Sequence, residues 1–237
     1  MKKVLNRLLL ALLILSSKPV MSQIDTTFWF AAPFVTPDHW WKDDVKFHIS
    51  GSAGTVVKFR QPNMTGVNKY DTTFTIPAAG NFDYTLWKNK IASATTLGFD
   101  FWEARPSNTV LPYGIYISST ANVTVVYDVI TRATNFYNPE TFSLKGQNGL
   151  GKEFICPFQT VYKNSVLGGD LNGDGISSQP KQQINIVASK PNTTIWITPK
   201  CNTNGHSANV TYSVMLPNAG DVYTIENSAQ NTYVAGN

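Results

Sequence analysis

Past the first twenty-two residues, apolar and polar positions alternate in short runs of four to eight, and those runs are rich in Val, Ile, Thr, Phe and Tyr. Clusters of Gly, Pro, Asn and Asp separate them. A period of two broken by turn formers is the signature of β-strands, and no stretch carries a convincing helical period of 3.6. The pattern predicts strands at 27–31, 45–50, 55–60, 72–76, 82–86, 114–118 and 122–130, then at 140–144, 152–162, 183–188, 193–198, 209–216 and 222–226. Only 88–95 is compatible with a short helix. The expected fold is all-β.

The two sets of strands resemble each other, and an internal repeat constrains a fold before any single element does. Thr27-Phe28-Trp29 matches Glu153-Phe154-Ile155 as an opening strand, and FHISGSAGTVVKFRQP matches INIVASKPNTTIWITP. FTIPAAGNFDYTL matches SVMLPNAGDVYTI, setting Ile76-Pro77 on Leu216-Pro217 and Ala79-Gly80 on Ala219-Gly220. The expectation is two related tandem β-sandwich modules, residues 23–133 and 140–237. Module one continues through 114–130 where module two has no counterpart, which predicts that module two is truncated at its C-terminus and that the chain is the N-terminal part of a larger protein.

The N-terminus differs from the rest. Lys2, Lys3 and Arg7 precede the apolar run LLLALLIL and a polar stretch ending Val20-Met21-Ser22, the layout of a secretory signal peptide over residues 1–22 cleaved before Gln23. Eight apolar residues are too few to span a bilayer, which needs about 20, and no second run follows, so no membrane-spanning segment is expected in the mature chain. The expected location is secreted, extracellular or at the cell surface.

Composition changes the picture in one respect. The net charge of +4 is carried by the signal segment, whose Lys2, Lys3, Arg7 and Lys18 face no acid, so the body is neutral. With 14% charged residues against the usual ~25%, it lacks the dense basic face that governs nucleic-acid affinity. No nucleic-acid partner is expected.

Three constellations carry candidate chemistry. Trp40 and Trp41 stand in tandem in the polar stretch TPDHWWKDD, which reads as a loop; exposed Trp beside acids and a His suits stacking on a sugar face or an aromatic protein contact, while one Trp folded into the end of a sandwich is the competing account. Asp170, Asn172 and Asp174, with Gly175 following, reproduce the first half of a Ca2+ loop. Position 12 of that loop is Lys181 rather than a bidentate acid, so the shell needs ligands from elsewhere, and an Asx-rich surface turn is the alternative. Ca2+ is the one cofactor suggested, and none is required. Cys156 and Cys201 form an even pair in an exported chain, either bridged or both thiols. A bridge closing about 45 residues is worth ~4 kcal/mol on the chain-entropy model.

Catalytic signatures are missing from the sequence. His39, His48 and His206 stand in no zinc-ligand spacing, and HExxH, GxSxG, P-loop and dinucleotide fingerprints do not occur. The chain is expected not to be an enzyme. Phe28, Trp29, Trp87, Phe101, Trp102 and Trp196 fall within or beside strand patterns, where packing is the expected role.

Four stretches taken in order, DTTFWFAAP, FSLKGQNGLGKEFICPFQT, PNTTIWITP and LPNAGDVYTI, resemble the IgGFc-binding-protein N-terminal domain family, and more narrowly its bacterial branch in exported surface proteins of gliding Bacteroidetes. The resemblance spans almost all of the mature chain. It implies an all-β extracellular module in a protein of adhesion, often followed by repeats and a sorting domain for type IX secretion, and it supplies no catalytic residue. The functional expectation is therefore a non-enzymatic surface binding or adhesion module whose partner is a host or environmental glycan or surface protein. The alternatives are the glycan-binding accessory part of a secreted polysaccharide-acting enzyme, or a structural spacer.

Overall fold

The structure is a computed structural model that describes residues 23–33, 44–65, 71–86, 104–130, 140–156 and 182–228. Twelve strands follow one another among these residues: β1 Ile24–Phe30, β2 Asp44–Gly51, β3 Val56–Arg60, β4 Asp71–Thr75, β5 Asn81–Leu86, β6 Val110–Leu111, β7 Ile115–Ile130, β8 Glu140–Ser143, β9 Gln183–Val187, β10 Thr193–Ile197, β11 Tyr212–Leu216 and β12 Val222–Glu226. One 3₁₀ turn, Gly146–Gly149, is the sole helical element among the described residues. The chain is all-β.

Seven strands form the first sheet, ordered β4-β3-β7-β2-β5, with β1 and β8 also paired to β7. β7 organises it. Its first half pairs with β3, from Ser119 opposite Val57 to Tyr116 opposite Arg60, and its second half pairs with β2, from Val123 opposite Gly51 to Ile130 opposite Asp44. The register against β1 shifts between Asp25 and Thr27, where β7 passes through Ser119 to Asn122 and the Ser119 hydroxyl donates to the Ala121 carbonyl at 2.7 Å. Strands predicted separately at 114–118 and 122–130 are thus one bent strand. Its bend curls the sheet until β3 and β4 face β2 and β5, with Phe47 and Phe59 ring centroids 5.1 Å apart and Phe74 stacked on Phe82 at 4.1 Å. The core so enclosed is Phe28, Phe47, Ile49, Val57, Phe59, Ile115, Ile117, Val125 and Tyr127.

The second half holds a ribbon, β10-β11, and a three-stranded sheet, β6-β12-β9. Its pairings repeat those of the first: β2 with β5 and β3 with β4 recur as β9 with β12 and β10 with β11. The match differs from the one drawn on sequence. Ile186 and Ile195 pack inward in the second half where Ile49 and Val57 do in the first, one residue further apart, and Leu216 to Ile225 is likewise one residue longer than Ile76 to Tyr84. A one-residue insertion turns every later side chain in a strand to the opposite face. Phe59 therefore corresponds to Ile197, and Trp196 points outward.

Two elements cross the expected division at 133/140. β8 is bonded into the first sheet, Tyr127 opposite Phe142, and β6, which sequence did not predict, pairs with β12, Val222 opposite Leu111. The halves are further tied by Asn63, whose Nδ2 donates to the Ala219 carbonyl and to Asp221 Oδ1, both at 2.9 Å. Gly114 N donates to the Gly220 carbonyl at 2.9 Å, an approach so close that a Cβ on Gly114 would overlap that carbonyl. Gly220 itself has φ 91° and lies against Trp29, whose ring tilts over Tyr116 at 4.6 Å. The expected opening strand at 152–162 is not formed in its described part, 152–156: Phe154 is 66% and Ile155 90% exposed, with no neighbouring strand among the described residues to bury them. The 88–95 segment lies outside the described residues.

Candidate functional site

Trp40 and Trp41 lie in 34–43, and Asp170, Asn172 and Asp174 in 157–181, all outside the described residues. Cys156 is half-buried at the end of the 140–156 segment, whereas Cys201 is 9% exposed in the second core beside Ile197 and Leu216. Among the described residues, no group of three His, Cys, Asp or Glu side chains is arranged to hold a metal ion.

The feature that sequence reasoning missed is the outer face of the β10-β11 ribbon. Five residue pairs run in register from Thr193 opposite Leu216 to Ile197 opposite Tyr212. Ile195, Ile197, Tyr212, Val214 and Leu216 pack inward on the second core, so alternation sends Thr194, Trp196, Ser213 and Met215 to solvent. Trp196 is 74% and Met215 59% exposed. They stand diagonally across the two strands, because Trp196 opposes Ser213 and Met215 opposes Thr194. Beyond the strands the face continues through Thr198 and Thr211, whose hydroxyl oxygens are 2.9 Å apart. The segments TTIWI and YSVML contain no ionisable side chain except the inward Tyr212. The alternation of Ile195 and Ile197 with Thr194 and Thr198 already placed Trp196 on the hydroxyl face; the alignment to Phe59 concealed it.

Beneath the ribbon lies a polar cluster joining the halves. His206 stacks on Tyr212 with ring centroids 3.4 Å apart, and its Nε2 is 2.8 Å from Asn108 Oδ1, which also accepts from the Tyr223 hydroxyl at 2.6 Å. Asn204 Nδ2 donates to Ser107 Oγ and Glu226 Oε1. Burial, followed by the neighbouring Tyr223 hydroxyl, pushes the Tyr212 phenol well above its ordinary range, and burial likewise raises Tyr223. Both stay neutral phenols at any physiological pH, which suits a support for the ribbon and not proton transfer.

A second polar group lies on the outer face of the first sheet. His48 Nδ1 is 2.8 Å from Asp83 Oδ1 and its Nε2 is 3.4 Å from Asp128 Oδ2, while Lys46 Nζ is 3.8 Å from Asp83 Oδ2. Thr141 Oγ1 donates to Asp128 at 2.7 Å and not to the imidazole. The arrangement links β5, β2, β7 and β8 across their exposed side. It ties the four strands together.

No helix among the described residues is long and apolar enough to cross a membrane. No family model, curated protein or solved structure matches the chain.

Proposed function

We propose that the chain is an exported, non-enzymatic binding module of the adhesin kind, and that the outer face of the β10-β11 ribbon is a contact surface. The observation that carries this reading is the exposure of Trp196 beside Met215 on a ribbon whose reverse side is locked into a core. A large aromatic held out from a rigid backbone gives up little freedom on binding and buries much area, the property of interface hot spots. The family resemblance of the four motifs supports the same reading, and so does the leader-like segment 1–22. The Trp40 and Trp41 loop is a second contact in this account, to be tested beside the first.

The test is attachment of the full chain to glycan-coated and protein-coated surfaces, comparing Trp196→Ala with the double variant Trp40→Ala plus Trp41→Ala. Trp196→Ala is expected to lower attachment by about tenfold, the worth of one aromatic contact, with stability within about 0.5 kcal/mol of the parent. Unchanged attachment in both variants would sink the proposal.

A further inference from the structure

Resting on the reading of the ribbon as the contact surface, we infer that its ligand is a neutral polysaccharide, seated with one pyranose ring on the Trp196 indole. Four features converge on that class. The ring stands on a five-pair, in-register antiparallel ribbon, with its inward neighbours Ile195 and Ile197 packed in the core, so the platform exists before the ligand arrives. Around it lie hydroxyls, those of Thr194, Ser213, Thr198 and Thr211, each able to donate and to accept.

The third feature is charge. Neither Thr193–Ile197 nor Tyr212–Leu216 presents an ionised group, and the exposed Lys190 and Lys200 stand beyond the two ends of β10, so a phosphate, a nucleic acid or an acidic glycan finds no charge partner on the face itself. The fourth is extent. Trp196 and Met215 occupy diagonal positions about 7–8 Å apart at their backbones, which is room for one sugar ring on the indole and the next against the thioether. A pyranose has an apolar C–H face bordered by hydroxyls, and this surface is its complement: one apolar plate bordered by hydroxyls.

The experiment retards the full chain in native gels containing dextran, mannan or soluble β-glucan, with alginate as the anionic control. At least one neutral polymer is expected to retard the parent. Trp196→Ala should lose about tenfold in apparent affinity, Trp196→Tyr should keep part of it through its own ring face, and retardation should not change between about 0.1 M and 0.5 M salt. Retardation by alginate alone, or by no neutral polymer, overturns the inference, as does equal binding by Trp196→Ala. Loss of self-association in Trp196→Ala, measured by sedimentation, without any polysaccharide effect also overturns it by assigning the face to a second copy. If Trp196→Ala abolishes attachment to a protein-coated surface while no neutral polymer binds, the contact surface stands and the glycan falls. If neither assay responds, both fall.

Discussion

Phe47, Ile49, Val57 and Phe59 in the first half are at most 1% exposed, while Ile184, Ile186 and Ile195, which pack inward at the corresponding places in the second, are only half-buried. The strands pair alike in both halves, so pairing does not explain the contrast. β7 does: it lies between β2 and β3 and is bonded to both, and among the described residues no strand lies in that way between β9 and β10. Side-chain size adds to it, since four of the first core's residues are Phe28, Phe47, Phe59 and Tyr127 and its rings touch across the curled sheet. The same strand pairing can thus enclose a tightly buried core in one place and a more open one in another.

The sharpest way to break the comparison is to remove one large inward side chain from each core. Phe59→Ala leaves a cavity under three ring contacts and is expected to cost about 3–5 kcal/mol, enough to unfold much of the chain, whereas Ile195→Ala is expected to cost no more than about 2 kcal/mol. Urea unfolding measures both; equal losses would mean that β7 is not what sets the difference. A middle-sized effect is expected at the junction. Gly114→Ala forces a Cβ into the Gly220 carbonyl, and should cost about 1–3 kcal/mol. The second half should then melt ahead of the first, resolved by calorimetry as a split transition. One cooperative transition in that variant would show the halves to be coupled through other contacts, such as Asn63 with Asp221.

The smallest effect concerns alkaline pH. Tyr212 and Tyr223 are both raised above the ordinary phenol value of about 10, so the folded state holds these protons more tightly than the unfolded chain does. Their contribution is complete below that pH and is lost as pH climbs toward the folded values. Stability should fall above about pH 10, and more gently in Tyr212→Phe, which removes one of the two raised phenols. At neutral pH that variant should lie within about 1 kcal/mol of the parent. A phenolate absorbance that titrates as in free tyrosine would contradict the burial argument.

Much of the fold was legible because alternation and turn residues act locally. β2, β3, β5, β9, β10 and β12 lie within a residue or two of the predicted positions. β6 escaped because two residues, Val110 and Leu111, show no period, and its partner β12 lies far along the chain. The bend in β7 read as a break since Ser118 to Ala121 are small and polar, yet Ser119 and Thr120 use their hydroxyls to carry the strand through, Ser119 to Ala121 and Thr120 from Val56 N. Trp196 was misplaced for a subtler reason: aligned letters do not register an inserted residue whose effect is to reverse a face. The residues nominated for metal and aromatic contact, Asp170, Asn172, Asp174, Trp40 and Trp41, all sit in long turn-rich stretches, where composition marks chemistry but not geometry.

Among the described residues β1 finds its partner strand in β7, Ile24 opposite Thr124, about a hundred residues further along the chain. During synthesis β1 emerges well before β7, and its apolar Phe28 and Phe30 stay unsheltered until β7 arrives. β6 waits in the same way for β12. Such high contact order makes for slow closure and a long aggregation-exposed interval, so the order in which the chain is delivered governs whether it folds at all.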